Sequence, residues 1–235
     1  MIPILLTMSV FTAYFIESIF GFGGTILALA AISNFIDMKA AILIAAYAAI
    51  WASSFILISG FKHFSLSHFI KIYTYALPGV LIGTVIFLWA SPVFLLKFFA
   101  AFLIVYSLYA LWNPNIKMPK ILSRIILFIS GIIHGIFGTG GPFMLMAYGH
   151  EFGHKSELRT MVAAYLLFGN IIRFVQMALM GKLEAEAFIG YWWIVAPIAL
   201  AIGLGFVLHL KLNDTLFKRG VLCMMLLSGL AFLVK

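Results

Sequence analysis

One short glycine motif occurs twice in this chain, 117 residues apart, and each copy lies inside a stretch apolar enough for a membrane. Phe20-Gly21-Phe22-Gly23-Gly24 in the first half is answered by Phe137-Gly138-Thr139-Gly140-Gly141 in the second. Glycine clusters are poor helix interiors, so each motif marks a place where the backbone leaves a helix. At membrane depth such backbone is tolerated only where protein buries it or it lines a cavity. Two broken segments at corresponding positions of two halves point to the binding site of a secondary transporter.

Composition agrees. Of 235 residues, 65% are hydrophobic and 9% charged, with a mean hydropathy of +1.17. A soluble domain carries about 25% charged residues. The chain therefore reads as an all-α polytopic membrane protein whose main surroundings are the lipid bilayer. The net charge of +8 is scattered between apolar spans, which points to membrane topology and away from nucleic acid. No Lys or Arg precedes Lys39, so the basic region of a cleavable signal peptide is missing. The single cysteine, Cys223, excludes an intrachain disulfide and is expected to pack as a small apolar residue.

Apolar runs fall at 3–36, 40–60, 69–90, 93–112, 123–149, 158–180, 188–209 and 215–234, the first and fifth interrupted by glycines. A helix needs about 20 residues to cross about 30 Å of hydrocarbon. The repeat extends past the glycines: Ala45-Ala46-Tyr47 answers Ala163-Ala164-Tyr165, Pro78 answers Pro197, and Lys97 and Ser107 answer Lys218 and Ser228. The order predicts two related halves, 1–112 and 123–235, joined by a polar linker at 113–122.

Charge decides between two topologies. If each broken run crosses the membrane once, the loop cations divide seven against seven. If each is a re-entrant hairpin followed by three crossings, ten fall on one side and Lys39, Lys97, Lys182 and Lys235 on the other. The second count follows the positive-inside rule, makes the halves inverted repeats, and puts the linker in the cytoplasm with both termini outside.

Ionisable residues deep in such runs are expensive and mark function by default. Glu17 and His134 each stand four residues before their glycine break, at equivalent repeat positions. If the two hairpin tips meet, the carboxylate and the imidazole become neighbours able to pass or gate a proton. Arg173 lies midway along 158–180, sharing a face with Tyr165 and Gly169 and flanked by Asn170 and Gln176. A guanidinium suits sulfonate, sulfite, carboxylate or phosphate oxygens. Asn170 and the amides around Gly23, Gly24, Thr139, Gly140 and Gly141 would complete an anion cradle, with Pro142 suited to the first turn of the helix that follows. A permanent Arg173–Glu17 pair is the structural alternative. Lys155, Glu157 and Arg159 read as solvated loop charges, and His63, His68, His150 and His154 as interfacial. The chain has no HxxxH or CxxC spacing, so neither a metal nor another cofactor is expected.

Two halves that each open with a G-x-G-G break in an apolar hairpin resemble the TauE/SafE sulfite exporter family of bacterial membrane permeases. The resemblance rests on Gly21-Phe22-Gly23-Gly24 and Gly138-Thr139-Gly140-Gly141 with their flanks. It implies transport, usually outward across the inner membrane, of small sulfur-containing anions. The first copy departs from the family pattern, continuing Thr25-Ile26-Leu27-Ala28 without a proline. The expectation is thus a secondary transporter, not an enzyme, that exports a small organosulfur or carboxylate anion by alternating access with proton coupling. The alternatives are a passive anion channel and a membrane-embedded enzyme using His134 and Glu17 as acid and base. A monomer and a homodimer fit the sequence equally.

Overall fold

The computed structural model describes residues 2–36, 38–89, 119–183 and 190–211, with separate positions between 91 and 111 and between 213 and 230. The described residues are helical with short turns and no strand. In chain order the helices are α1 (Ile2–Phe20), α2 (Gly24–Ile32), α3 (Met38–Gly60), α4 (Leu66–Trp89), α5 (Lys120–Phe137), α6 (Gly141–Tyr148), α7 (Lys155–Leu179) and α8 (Val195–Lys211). Six stretches among the described residues are long and apolar enough to cross a membrane: Ile2–Phe20, Lys39–His63, Leu66–Trp89, Lys120–Phe137, Lys155–Leu179 and Trp192–Lys211. The chain is an all-α polytopic membrane protein. Linker positions 113–118 and the run from 231 onward lie outside the described residues, and α5 already begins at Lys120.

Both glycine motifs break their helices, and the chain then turns back. Gly138 ends α5 in the left-handed region (φ 72), its amide donating to the His134 carbonyl at 2.7 Å. Gly21 (φ 85) does the same after α1, donating to Glu17. Beyond the first break Gly24 packs against Tyr14 and Glu17; beyond the second, Gly140 packs against Ser130 and His134. Each motif therefore forms a hairpin with one long arm and one short arm. By helix rise, α1 is about 28 Å long and α2 about 13 Å. The long arm alone matches a span, and the return arm reaches half as far.

The long arms of both hairpins are each covered by one further helix. α4 packs on α5, the long arm of the second hairpin, while α8 packs on α1, the long arm of the first; α3 and α7 pack on each other. α3 and α7 run antiparallel. Gly60 at the end of α3 accepts from Thr160 near the start of α7, while Ala46 and Asn170, further from those ends, both border Gly138. The α4–α5 crossing is close because Gly79 and Gly83 face Gly131 and Gly135, leaving backbone against backbone. Small residues at four-residue spacing are how membrane helices approach when water supplies no driving force. The start of α7 is set by Glu157, whose carboxylate reaches back to the Gly153 amide at 3.2 Å. Cys223 is exposed and not packed in the interior.

Candidate functional site

The two hairpin tips meet at the centre. A Cβ on Gly141 would stand 3.3 Å from the Phe22 Cβ and 3.5 Å from Val162 of α7. A broken helix leaves carbonyls at its C-terminal end without intrahelical partners, and that end carries negative partial charge. In both hairpins, side chains of α7 or α8 supply missing donors, and cations lead.

At the first break the donors are Arg159 and His209. The Arg159 guanidinium donates through Nε to the Ser18 carbonyl at 2.8 Å and through Nη2 to the Ser18 Oγ at 3.2 Å. His209 Nδ1 donates to the Ile19 carbonyl at 2.8 Å, since a carbonyl can only accept. Ser18 in turn donates to the Ile202 carbonyl at 2.7 Å. Glu17 is fully buried, and its Oε2 accepts from the Thr25 amide at 3.3 Å and from Gly24. Arg159 is the cation whose field reaches Glu17. A carboxylate of the chain itself thus occupies the amides at the start of α2.

Arg159 corrects the sequence reading. It is not a solvated loop charge: it is 2% exposed, packs over the Phe206 ring and lies against Gly21. The helix begins four residues earlier, and the first hairpin's tip covers it. His209, beside Lys211 at the end of α8, likewise carries no mark of function in the sequence. A basic residue flanking an apolar run looks solvated until a distant segment is placed over it.

At the second break the donors are Arg173 and Asn170. Arg173 donates through Nη2 to the Ile136 carbonyl at 3.1 Å and stacks 4.4 Å over the Phe87 ring. Asn170 Nδ2 donates to the Gly138 carbonyl at 3.2 Å and the Leu166 carbonyl at 3.0 Å. Ser130 donates to the Gly140 carbonyl at 2.7 Å and bonds the Tyr165 hydroxyl at 2.7 Å. His134, Asn170 and Arg173 have no solvent exposure. Yet Nε and Nη1 of Arg173, both ring nitrogens of His134 and Oδ1 of Asn170 have no hydrogen-bond partner among the described residues. Nor does any described carboxylate pair with Arg173.

Of the sequence-predicted residues, the structure therefore gathers His134, Asn170 and Arg173 around Gly138 to Gly140, with Thr139 and Gly141 in the same turn. It places Glu17, Gly23 and Gly24 in the other hairpin. Glu17 and His134 do not share a hydrogen bond. Glu17 faces the return arm of its own hairpin, where the field of Arg159 reaches it, and the His134 ring lies against Tyr165 and Gly169 of α7, where the field of Arg173 reaches it. Arg173 accordingly does not pair with Glu17. His68 stands 3.3 Å from Glu157 and makes edge contacts with the Tyr148 and Phe152 rings.

The profile of the sulfite exporter TauE/SafE family matches residues 6–232. No curated protein and no solved structure matches the chain significantly.

Proposed function

Because the chain belongs to the sulfite exporter TauE/SafE family and is a multi-pass membrane transporter, we propose that it exports a small organosulfur or related anion by alternating access, with the solute bound at the second hairpin. One observation carries this reading. Arg173 is buried without a carboxylate partner among the described residues and keeps two nitrogens free, next to an imidazole that is also unpartnered. An ionised residue at the centre of a membrane helix costs about 2.5–3.5 kcal/mol on insertion scales. An anionic solute offsets that cost, and the cap on Ile136 does not use the free nitrogens.

The first hairpin supports the same reading by contrast. Its amides at Gly24 and Thr25 face Glu17. In the second hairpin the equivalent positions are Gly141 and Pro142, and His134 replaces the acid. The carboxylate built into one half is absent from the other, and an external anion takes its place. Glu17 and His134 serve coupling: a protonated Glu17 loses its charge attraction to Arg159 and its hold on the amides beside Gly23 and Gly24.

Complete burial of the site fits a state closed to both sides, and antiparallel α3 and α7 fit inverted repeats that rock about one another. In the orientation that follows, the linker is cytoplasmic and both termini are periplasmic, in the inner membrane of a bacterium. A reporter fused after Lys120 and found in the periplasm would overturn that orientation.

The function is tested by calorimetric binding of purified protein to sulfite, thiosulfate, small sulfonates and plain carboxylates. Arg173→Met is expected to weaken binding of the preferred anion by at least about a hundredfold, the scale on which a desolvated charge pair is lost. Undiminished binding in that variant places the solute elsewhere.

A further inference from the structure

Resting on the anion site just proposed, we infer that the solute carries an O–H or N–H donor beside its oxyanion group, and that the Asn170 side-chain oxygen is the atom that reads it. The argument starts from the orientation of the Asn170 amide. The oxygen and nitrogen of an asparagine side chain are nearly equal in size, so its orientation must come from its partners. Here both partners are carbonyls, those of Gly138 and Leu166, and carbonyls only accept. The nitrogen must face them, which leaves Oδ1 pointing away as an acceptor.

That oxygen is fully buried and, among the described residues, unpartnered. It also borders the same space as the guanidinium. A Cβ built on Gly138 would lie 2.9 Å from Asn170 Oδ1 and 3.3 Å from Arg173 Nη1. The site thus offers a cation and a fixed acceptor side by side. An oxyanion oxygen placed between them is attracted by Arg173 and repelled by Oδ1. A hydroxyl or amino group on the same solute removes the conflict, because its proton satisfies Oδ1 while the anionic oxygens take the free nitrogens of Arg173. His134 is compatible with either part, since a neutral imidazole has one donor and one acceptor nitrogen. A solute lacking the donor would leave Oδ1 buried and unpaired, and sites built around such a group discriminate strongly against the analogue that lacks it.

The test uses matched monoanions that differ only in the donor: 2-hydroxyethanesulfonate against ethanesulfonate, and hydroxyacetate against acetate. Binding is measured by calorimetry on the full-length purified chain, on Arg173→Met, and on Asn170→Leu and Asn170→Ser, using whichever Asn170 variant melts as the wild type does. The hydroxylated member of at least one pair is expected to bind tenfold or more tightly to the wild type. That preference is expected to collapse to within about twofold when the acceptor is removed, with Arg173→Met weakening both members. Equal affinity within both pairs in the wild type overturns the donor requirement but leaves the anion site standing. A preference that survives the loss of Asn170 overturns the assignment of the acceptor. Binding of neither pair, or binding indifferent to Arg173, overturns the anion site itself.

Discussion

The two hairpins begin from the same glycine break and finish with opposite electrostatic states. In the first, Arg159 and His209 cap the helix end and Glu17 holds the amides beyond the break. In the second, Arg173 and Asn170 cap the helix end, but His134 stands where the acid would be, and donors and an acceptor are left over. The two frames are similar, and the carboxylate of Glu17 in one stands where the other has the imidazole of His134, with Pro142 in place of Thr25 just beyond the break. Buried polar groups are normally paired, and both hairpins leave atoms over: Glu17 Oε1 in the first, and in the second Nε and Nη1 of Arg173, the His134 ring nitrogens and Asn170 Oδ1.

Removing a cation should therefore hurt the first hairpin most. Arg159→Met strips two hydrogen bonds from Ser18 and removes the cation whose field reaches Glu17, and hydrogen bonds made by a charged group are worth about 1.5–3 kcal/mol each. Thermal melting in detergent is expected to show the largest loss of any substitution considered. A melting temperature close to wild type would mean that the first hairpin is not held by this contact.

The next largest effect falls on the second turn. Gly138→Ala puts a side chain at φ 72 and drives its methyl to 2.9 Å from both the Ala46 Cβ and Asn170 Oδ1. Left-handed strain and overpacking together are expected to cost about 2–4 kcal/mol and to abolish anion binding. Gly181→Ala is the control, since its φ is 62 with nothing within 4 Å. It should cost about 1–2 kcal/mol from strain alone and leave binding intact. Equal losses in the two variants would mean that the space beside Gly138 is not used.

Much of this frame is legible in the amino-acid sequence. The glycine clusters announce the breaks because a helix interior tolerates them poorly, and sustained apolar length announces the spans. Arg173 is legible because it has no apolar excuse midway along its run. Arg159 is not, since four residues separate it from a helix start rich in charge and only the folded first hairpin covers it. The expected meeting of Glu17 with His134 fails for a related reason. The tips do meet, but through Phe22 and Gly141, while one turn back Glu17 faces its own return arm and the His134 ring lies against Gly169 and Tyr165 of α7. Sequence spacing gives the face of a helix, and the hairpin's fold decides what that face sees.

A smaller effect tests whether the second turn is held rigid independently of its ligand. Tyr165→Phe removes the hydroxyl that bonds Ser130, while Ser130 keeps its bond to the Gly140 carbonyl. The expected cost is about 1 kcal/mol, the net worth of one neutral hydrogen bond. Binding should weaken only slightly. A loss of binding far beyond the loss of stability would make the Tyr165 hydroxyl part of the cradle.

The smallest expected change in stability is also the sharpest contrast with the first hairpin. Arg173→Met removes one hydrogen bond to the Ile136 carbonyl and a stacking contact on Phe87, together worth about 1–2 kcal/mol. Against this it removes a desolvated cation that no described carboxylate answers, and replacing buried charges by apolar side chains of similar volume is often neutral or stabilising by about 1–4 kcal/mol. The unliganded variant is therefore expected to melt at or above the wild-type temperature, opposite in sign to Arg159→Met. With saturating anion present, the order should reverse, because only the wild type gains stability from binding. Two arginines fourteen residues apart on one helix would then differ in kind, one holding the fold and the other destabilising it until a solute arrives. If both variants lose stability alike and neither responds to anions, Arg173 is a second scaffold cation and the asymmetry between the hairpins has no functional meaning.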